Sequence, residues 1–175
     1  MNHELHQANA GRLVPKAVGV PFKQGVYWDS NCYWDDGSTF GESSTNAIIQ
    51  HERDSSRNPT SGVSTTPLMW VAKCYATACG KFQSGYLYKI DTELLEKYGV
   101  LKHPVANHAA WPKLPCTEEV ILVAKDFGVL PCEIVVEVIE IVMSSGRQCP
   151  DLNLNGCALN GSFTASTYCV NSEKK

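Results

Sequence analysis

GVSTTPLMWVAKCYA, residues 62–76, is the stretch on which the fold turns. Gly62, Val63, Ser64, Thr65 and Thr66 are small or β-branched and read as a short strand. Pro67 presets the backbone for a first helical turn, and Leu68, Met69, Val71, Ala72, Tyr75 and Ala76 are then apolar at helical spacing. The spacing predicts strand, turn, helix.

Upstream, residues 1 to about 20 are polar with scattered Gly and Pro and read as a loose arm, and the arm as a whole is taken to run over residues 1–24. Gly25 to Asp29 is a second short strand. Residues 31–59 are rich in Asp, Ser, Thr, Asn and Gly and read as loop, with one helical turn around Asn46 to Glu52. Downstream, Ser84 to Asp91 alternates, with Tyr86, Tyr88 and Ile90 on one face of a half-buried strand. Residues 98–115 show no periodicity. Thr117 is placed to cap a helix that begins Glu118, Glu119, continues through Val120, Ile121, Val123, Ala124 and Phe127, and ends at Gly128. Pro131 and Cys132 then open the strongest strand, Ile134 to Val142. The expected class is α+β without repeats: a domain over residues 25–143 and a cysteine-rich C-terminal extension, 144–175, packed on it.

The chain has 175 residues, 43% hydrophobic and 19% charged, which suits one compact core. A net charge of −3 with scattered Lys and Arg offers no basic field for phosphate backbones, so no nucleic-acid partner is expected. The apolar run from Ile134 to Met143 is interrupted by Glu137 and Glu140 and is shorter than the roughly 20 residues of a membrane span. Met1, Asn2, His3 and Glu4 do not read as a signal peptide, which leaves a protein kept inside the cell or a mature form given a start codon.

Eight cysteines, Cys32, Cys74, Cys79, Cys116, Cys132, Cys149, Cys157 and Cys169, decide between these. They are even in number and show no CxxC spacing, so disulfides are expected rather than zinc, or any other metal. Three of them fall in a polar stretch with Gly146, Asn153, Asn155, Gly156, Asn160 and Gly161, too polar to hold itself by burial. The competing reading is a cytosolic protein with eight thiols. The connectivity is open. Disulfides imply secretion to an extracellular place of action.

The order of these pieces resembles the catalytic domain of the cholera and pertussis class of mono-ADP-ribosyltransferase toxins. The resemblance rests on Val26, Tyr27, Trp28, Asp29 and Ser30; on Val63, Ser64, Thr65 and Thr66 ahead of a helix; on Gly85 to Ile90; and on Glu119 and Val120 before the strand that follows Pro131. It covers residues 25 to 142. It implies a split β-sheet with flanking helices, here stapled by disulfides, and NAD as substrate. In that family the first strand carries Tyr, Arg, x, Asp, the second Ser, Thr, Ser, and a later element two acidic or amide residues ending in the catalytic glutamate.

The resemblance assigns Glu119 as the catalytic carboxylate, stabilising the positive charge that develops on ribose as nicotinamide leaves. Ser64 and Thr65, with Thr66 beside them, match the Ser, Thr, Ser motif of the NAD site, and Tyr27 and Trp28 occupy the first motif. The family's arginine, which clamps the NAD phosphates by charge-assisted contacts, is missing: either Trp28 replaces it or a one-residue deletion has removed it. Arg53, Arg57 and Lys23 are the cations that would have to fold back into the cleft in its place. Two residues before Glu119, on the side of the acceptor, stands Thr117 instead of Glu or Gln.

Each motif also has a plainer explanation. Ser, Thr and Thr occur in many edge strands, and Glu119 in a first helical turn is favoured by the helix dipole. Trp28 and Trp34 would pack on the sheet, and His51, His103 and His108 would be solvated loop residues. Three readings remain open. One is a monomeric secreted toxin or effector transferring ADP-ribose from NAD to a host protein. Another is an inactive effector that binds a host protein. The last is a cysteine-rich extracellular protein of unrelated fold.

Overall fold

A computed structural model describes residues 13–30, 35–76, 84–112 and 115–142, and the backbone of 167–171. Among these are eight strands and two α-helices: β1 (Gln24–Val26), β2 (Gly41–Ser43), α1 (Ser44–Asp54), β3 (Gly62–Thr66), α2 (Met69–Ala76), β4 (Ser84–Ile90), β5 (Val100–Pro104), β6 (Val120–Ala124), β7 (Val135–Val142) and β8 (Thr167–Asn171). Short 3₁₀ turns cover Val105–Asn107, Pro115–Thr117 and Cys132–Ile134. The class is α+β. β1 and β2 make a small antiparallel sheet, and the other six strands make an antiparallel sheet in the order β5-β6-β3-β8-β4-β7.

The strand and helix expected over residues 62–76 form as β3 and α2. β3 becomes a central strand because both of its edges are paired, to β6 on one side and β8 on the other. β8 comes from the C-terminal segment, which enters the sheet between β3 and β4. On one face Ile48 and Ile49 of α1 pack with Phe22, Ile121 and Val123, and Ala72 and Ala76 of α2 pack with Leu87. Because Ser64 pairs with Ile121, it lies on that same face, between the two helices. The other face buries Tyr88, Ile90, Leu122 and Ile134 under Leu13, Leu95 and Leu130.

The helix expected from Glu118 to Phe127 is corrected to a strand, β6. Val120, Ile121, Leu122, Val123 and Ala124 satisfy a helical pattern, but four of the five are fully buried, and the element is paired on both edges, to β5 and β3. Two-sided pairing and β-branched content outweigh an apolar spacing that fits either element. Thr117 therefore caps no α-helix. Residues 98–115, expected to be irregular, contain β5, which pairs along all of β6. The single turn expected near Asn46 is three turns long, started by Ser43, whose hydroxyl accepts the Asn46 amide at 3.0 Å.

Residues 13–24 are not a loose arm. Leu13 and Phe22 are buried, and the Ala17 and Gly19 amides donate to Thr60 and Phe127 carbonyls at 3.1 and 2.7 Å. In β4, Leu87 and Tyr88 are both buried, so the expected one-sided alternation gives way to a strand covered on both faces over that stretch. No disulfide joins two described cysteines to each other, while Cys74 and Cys116 are each held in a disulfide. Cys132 is an exposed thiol, its sulfur 3.5 Å from Glu133 Oε2. Cys32, Cys79, Cys149 and Cys157, with Trp34, lie outside the described residues, as does the Cys169 side chain.

Candidate functional site

The site begins with the two hydroxyls that do not enter it. Thr65 Oγ1 donates to the Val120 carbonyl at 2.7 Å and Thr66 Oγ1 to the Thr117 carbonyl at 2.6 Å, so β3 grips the chain on both sides of Glu119. The Glu119 carbonyl in turn accepts from Val105 N–H at 2.9 Å. With its backbone held from two directions, the Glu119 side chain is fixed beside Ser64, whose hydroxyl bonds to it. Glu118, just before, has a left-handed φ of +48°, and this turn joins Pro115–Thr117 to β6. Glu119 thus stands at the mouth of a strand and not in a first helical turn, which removes the helix dipole as its explanation.

A relay runs back from Glu119. A carboxylate only accepts, so Ser64 donates to it, and Ser64 Oγ is then left to accept from His51 Nε2, 2.9 Å away. His51 Nδ1 must then accept from Thr60 Oγ1 at 2.6 Å, and Thr60 Oγ1 accepts from Gly62 N–H at 3.1 Å. The tautomer is assigned from this network. His51 is 4% exposed, and burial, with Lys16 adding to it, pushes its pKa down to about 4, so the ring is neutral at ordinary pH. The sequence suggests a solvated loop residue here; the structure places it on α1, facing the sheet. Its missed signal was position: His51 follows Ile48 by three and Ala47 by four, on the buried stripe of a helix read as loop.

Burial also raises the Glu119 carboxyl above its ordinary range; the Ser64 bond acts against this and the charge of Glu52 acts with it. On α2, Tyr75 is raised first by burial and then by Glu119 and Glu52. Four elements therefore converge on one spot: α1 with His51 and Glu52, β3 with Ser64, α2 with Tyr75, and the entry to β6 with Glu119. A carboxylate oriented by a serine hydroxyl and deprived of water can bond a sugar hydroxyl and stabilise positive charge on the adjacent carbon.

Of the residues singled out in sequence, Ser64 and Glu119 come together. Thr65 and Thr117 are buried in the scaffold around them. Tyr27 and Trp28 stand with Phe40 in an exposed aromatic group, ring centroids 5.7 and 5.2 Å from Phe40, and Trp28 is 78% exposed, so it does not pack on the sheet. The three candidate cations each hold an acidic partner. Lys23 pairs with Glu42, Arg53 Nη1 with Asp36 Oδ2 at 2.6 Å, and Arg57 Nε with Asp54 at 3.4 Å. The described residues thus offer a carboxylate and a hydroxyl suited to a ribose; each of these three cations is held by a carboxylate, while Lys16, which donates to Ser55 Oγ at 2.7 Å, lies near enough for its charge to act on His51. Among them no group of three or more His, Cys, Asp or Glu is placed to hold a metal, and no helix is long and apolar enough to cross a membrane. His103 is no loop residue but lies half-buried on β5: its ring stacks on Phe22 at 5.5 Å and meets His108 edge-on at 5.9 Å, while His108 Nδ1 lies 3.2 Å from Thr45 Oγ1.

The sequence model of the NarE family matches residues 1–122, which takes in β1 to β5 and the whole of the His51, Ser64 and Glu119 constellation. No curated protein and no solved structure matches the chain significantly.

Proposed function

The chain belongs to the NarE family, a bacterial ADP-ribosyltransferase-like family whose members use NAD, and on that premise we propose that it breaks the bond between nicotinamide and ribose and transfers the ADP-ribose to a host protein. The bond from Glu119 to Ser64, backed by neutral His51, carries this reading. As the glycosidic bond breaks, its electron pair goes to the nicotinamide nitrogen, and positive charge grows at the ribose carbon. Glu119 holds the ribose and faces that charge; Ser64 and His51 hold Glu119. Secretion as a toxin or effector is part of the proposal, supported by the disulfides at Cys74 and Cys116.

The test is nicotinamide release from NAD by the oxidised protein, beside Glu119→Ala. Release should fall by about 100-fold or more in the variant, as when a preorganised transition-state contact is removed. Because the Glu119 pKa is raised, the wild-type rate should climb with pH through a limb lying above the ordinary carboxylate range. Equal rates in the two proteins would remove the enzyme reading.

One observation favours a second reading. With the family arginine missing and Lys23, Arg53 and Arg57 all paired to carboxylates, none of the three expected cations stands ready to clamp the pyrophosphate, which leaves that task to another cation such as Lys16, whose charge reaches His51. A protein that binds a host partner without chemistry needs none. It would release no nicotinamide and would show no NAD-dependent rise in thermal midpoint.

A further inference from the structure

We propose that Glu52 is the general base of this site, taking the proton from the acceptor that captures ADP-ribose while Glu119 remains on the ribose. This rests on the NAD-splitting reading above. The geometry is that of the gap between the helices. Ile48 and Ile49 are buried against the sheet, and Glu52 follows them by four and three residues, on the same stripe of α1, at the end where His51 meets Ser64. α2 packs on the same sheet face through Ala72 and Ala76, with Tyr75 between them in sequence. Ser64 of β3 lies on the sheet face that both helices cover, and Glu52, Glu119 and Tyr75, on three elements, stand near enough for their charges to act on one another.

The charges agree with the placement, since Glu52 is felt by both Glu119 and Tyr75. The two carboxylates are not equivalent. Glu119 accepts a hydrogen bond from Ser64 and sits at the end of the relay, fixed for the ribose; Glu52 stands on α1 next to His51 and is half-buried. Two carboxylates in one site with different surroundings divide their work in this way. Nearer to Glu119 in sequence, Thr117 has no carboxylate and is buried, and Glu118 is exposed on a left-handed turn.

The step balances as follows. The acceptor N–H or O–H attacks the ribose carbon as the glycosidic bond breaks. Nicotinamide leaves neutral, with the bonding pair, and the acceptor proton passes to the Glu52 carboxylate and then to water. Bond cleavage alone leans on Glu119, whereas capture by a protonated acceptor needs Glu52 as well.

The experiment follows nicotinamide release and product formation with agmatine, a small cationic acceptor suited to two carboxylates, using the full oxidised chain. Glu52→Gln should lower agmatine modification about 100-fold while nicotinamide release persists. Glu119→Gln should lose both, and Glu118→Gln neither. Glu52→Gln should also move the acidic limb of nicotinamide release to lower pH, because Glu119 loses a like charge; a merely misfolded variant would lose rate without moving the limb. An unchanged ratio of transfer to release in Glu52→Gln, a split of the two seen in Glu118→Gln instead, or a wild type that releases nicotinamide without modifying agmatine overturns the assignment alone. A wild type that releases no nicotinamide overturns the NAD reading, and the assignment with it.

Discussion

The two ends of α1 bury polar side chains in opposite ways. At its start Asn46, fully buried, gives its amide hydrogens to the carbonyls of Thr39, Gly41 and Gln24 at 2.7, 2.8 and 3.2 Å and accepts from Thr39 N–H at 2.8 Å. Two hydrogens serve three acceptors, so the amide is used to its limit, and every partner is backbone except the Thr39 hydroxyl, which donates to Oδ1 at 3.4 Å. Near its end His51 and Glu52 face other side chains, and titration there is displaced: His51 downward, Glu119 upward. A neutral amide tied to backbone fixes a loop. Desolvated titratable groups set against one another store free energy that only a ligand can release, which is the mark of a site.

Three neutral contacts should therefore outweigh any single charge. Asn46→Leu strands the Thr39, Gly41 and Gln24 carbonyls and should lower unfolding free energy by about 3–5 kcal/mol, with the small sheet of β1 and β2 lost first. Urea unfolding checks it. A loss under about 1 kcal/mol would break the contrast between the two ends.

The other end should show itself in pH. The folded pKa of His51 is about 4 against an ordinary 6.5 for histidine. On acidification the unfolded chain binds the proton first, so the His51 contribution is intact above about 6.5 and falls between there and about 4, by roughly 3 kcal/mol at most. Glu119 works in the opposite sense: its raised pKa makes the folded state hold its proton longer, so its contribution declines as pH rises through the interval above the ordinary carboxylate value. His51→Gln should flatten the acid side of the stability curve measured by denaturant unfolding; an unchanged slope would mean that His51 is not the group that titrates.

What was legible in the sequence was local. Pro67 after β-branched residues marks β3 and α2, and motif order picks out Ser64 and Glu119, which the fold brings into contact. Two errors share one cause. Residues 120–124 pack as a central strand because β3 and β5 flank them, and that pairing is invisible in a window around Val120. Likewise His51 and Glu52 sit in a polar run whose helix is set by Ser43 and by Asn46, whose partners lie as far away as Gln24. The site residues contributed by α1 were missed because the helix was missed. Sequence tells which residue types are present, not which way a hydroxyl points: Thr65 Oγ1 is turned to the Val120 carbonyl, and Thr117 is buried.

The two ion pairs of Arg53 and Lys23 sharpen the comparison at its weak end. Asp36 is 2% exposed and holds Arg53 Nη1 at 2.6 Å, while its Oδ1 accepts Ser38 N–H at 2.7 Å, and its loop docks where Gly37, at a φ of +100°, passes so near the His108 carbonyl that a Cβ would meet it at 2.4 Å. Arg53→Met leaves a buried carboxylate without its cation and should cost about 1–2 kcal/mol, less than a fully buried pair because the guanidinium reaches solvent. Lys23 and Glu42 are both about half exposed, so their pair is screened and offset by side-chain entropy. Lys23→Met should leave the urea midpoint where it is, in high salt and low. If instead it destabilised as much as Arg53→Met, exposure would not be what separates the two pairs, and the contrast between the ends of α1 would lose its physical basis.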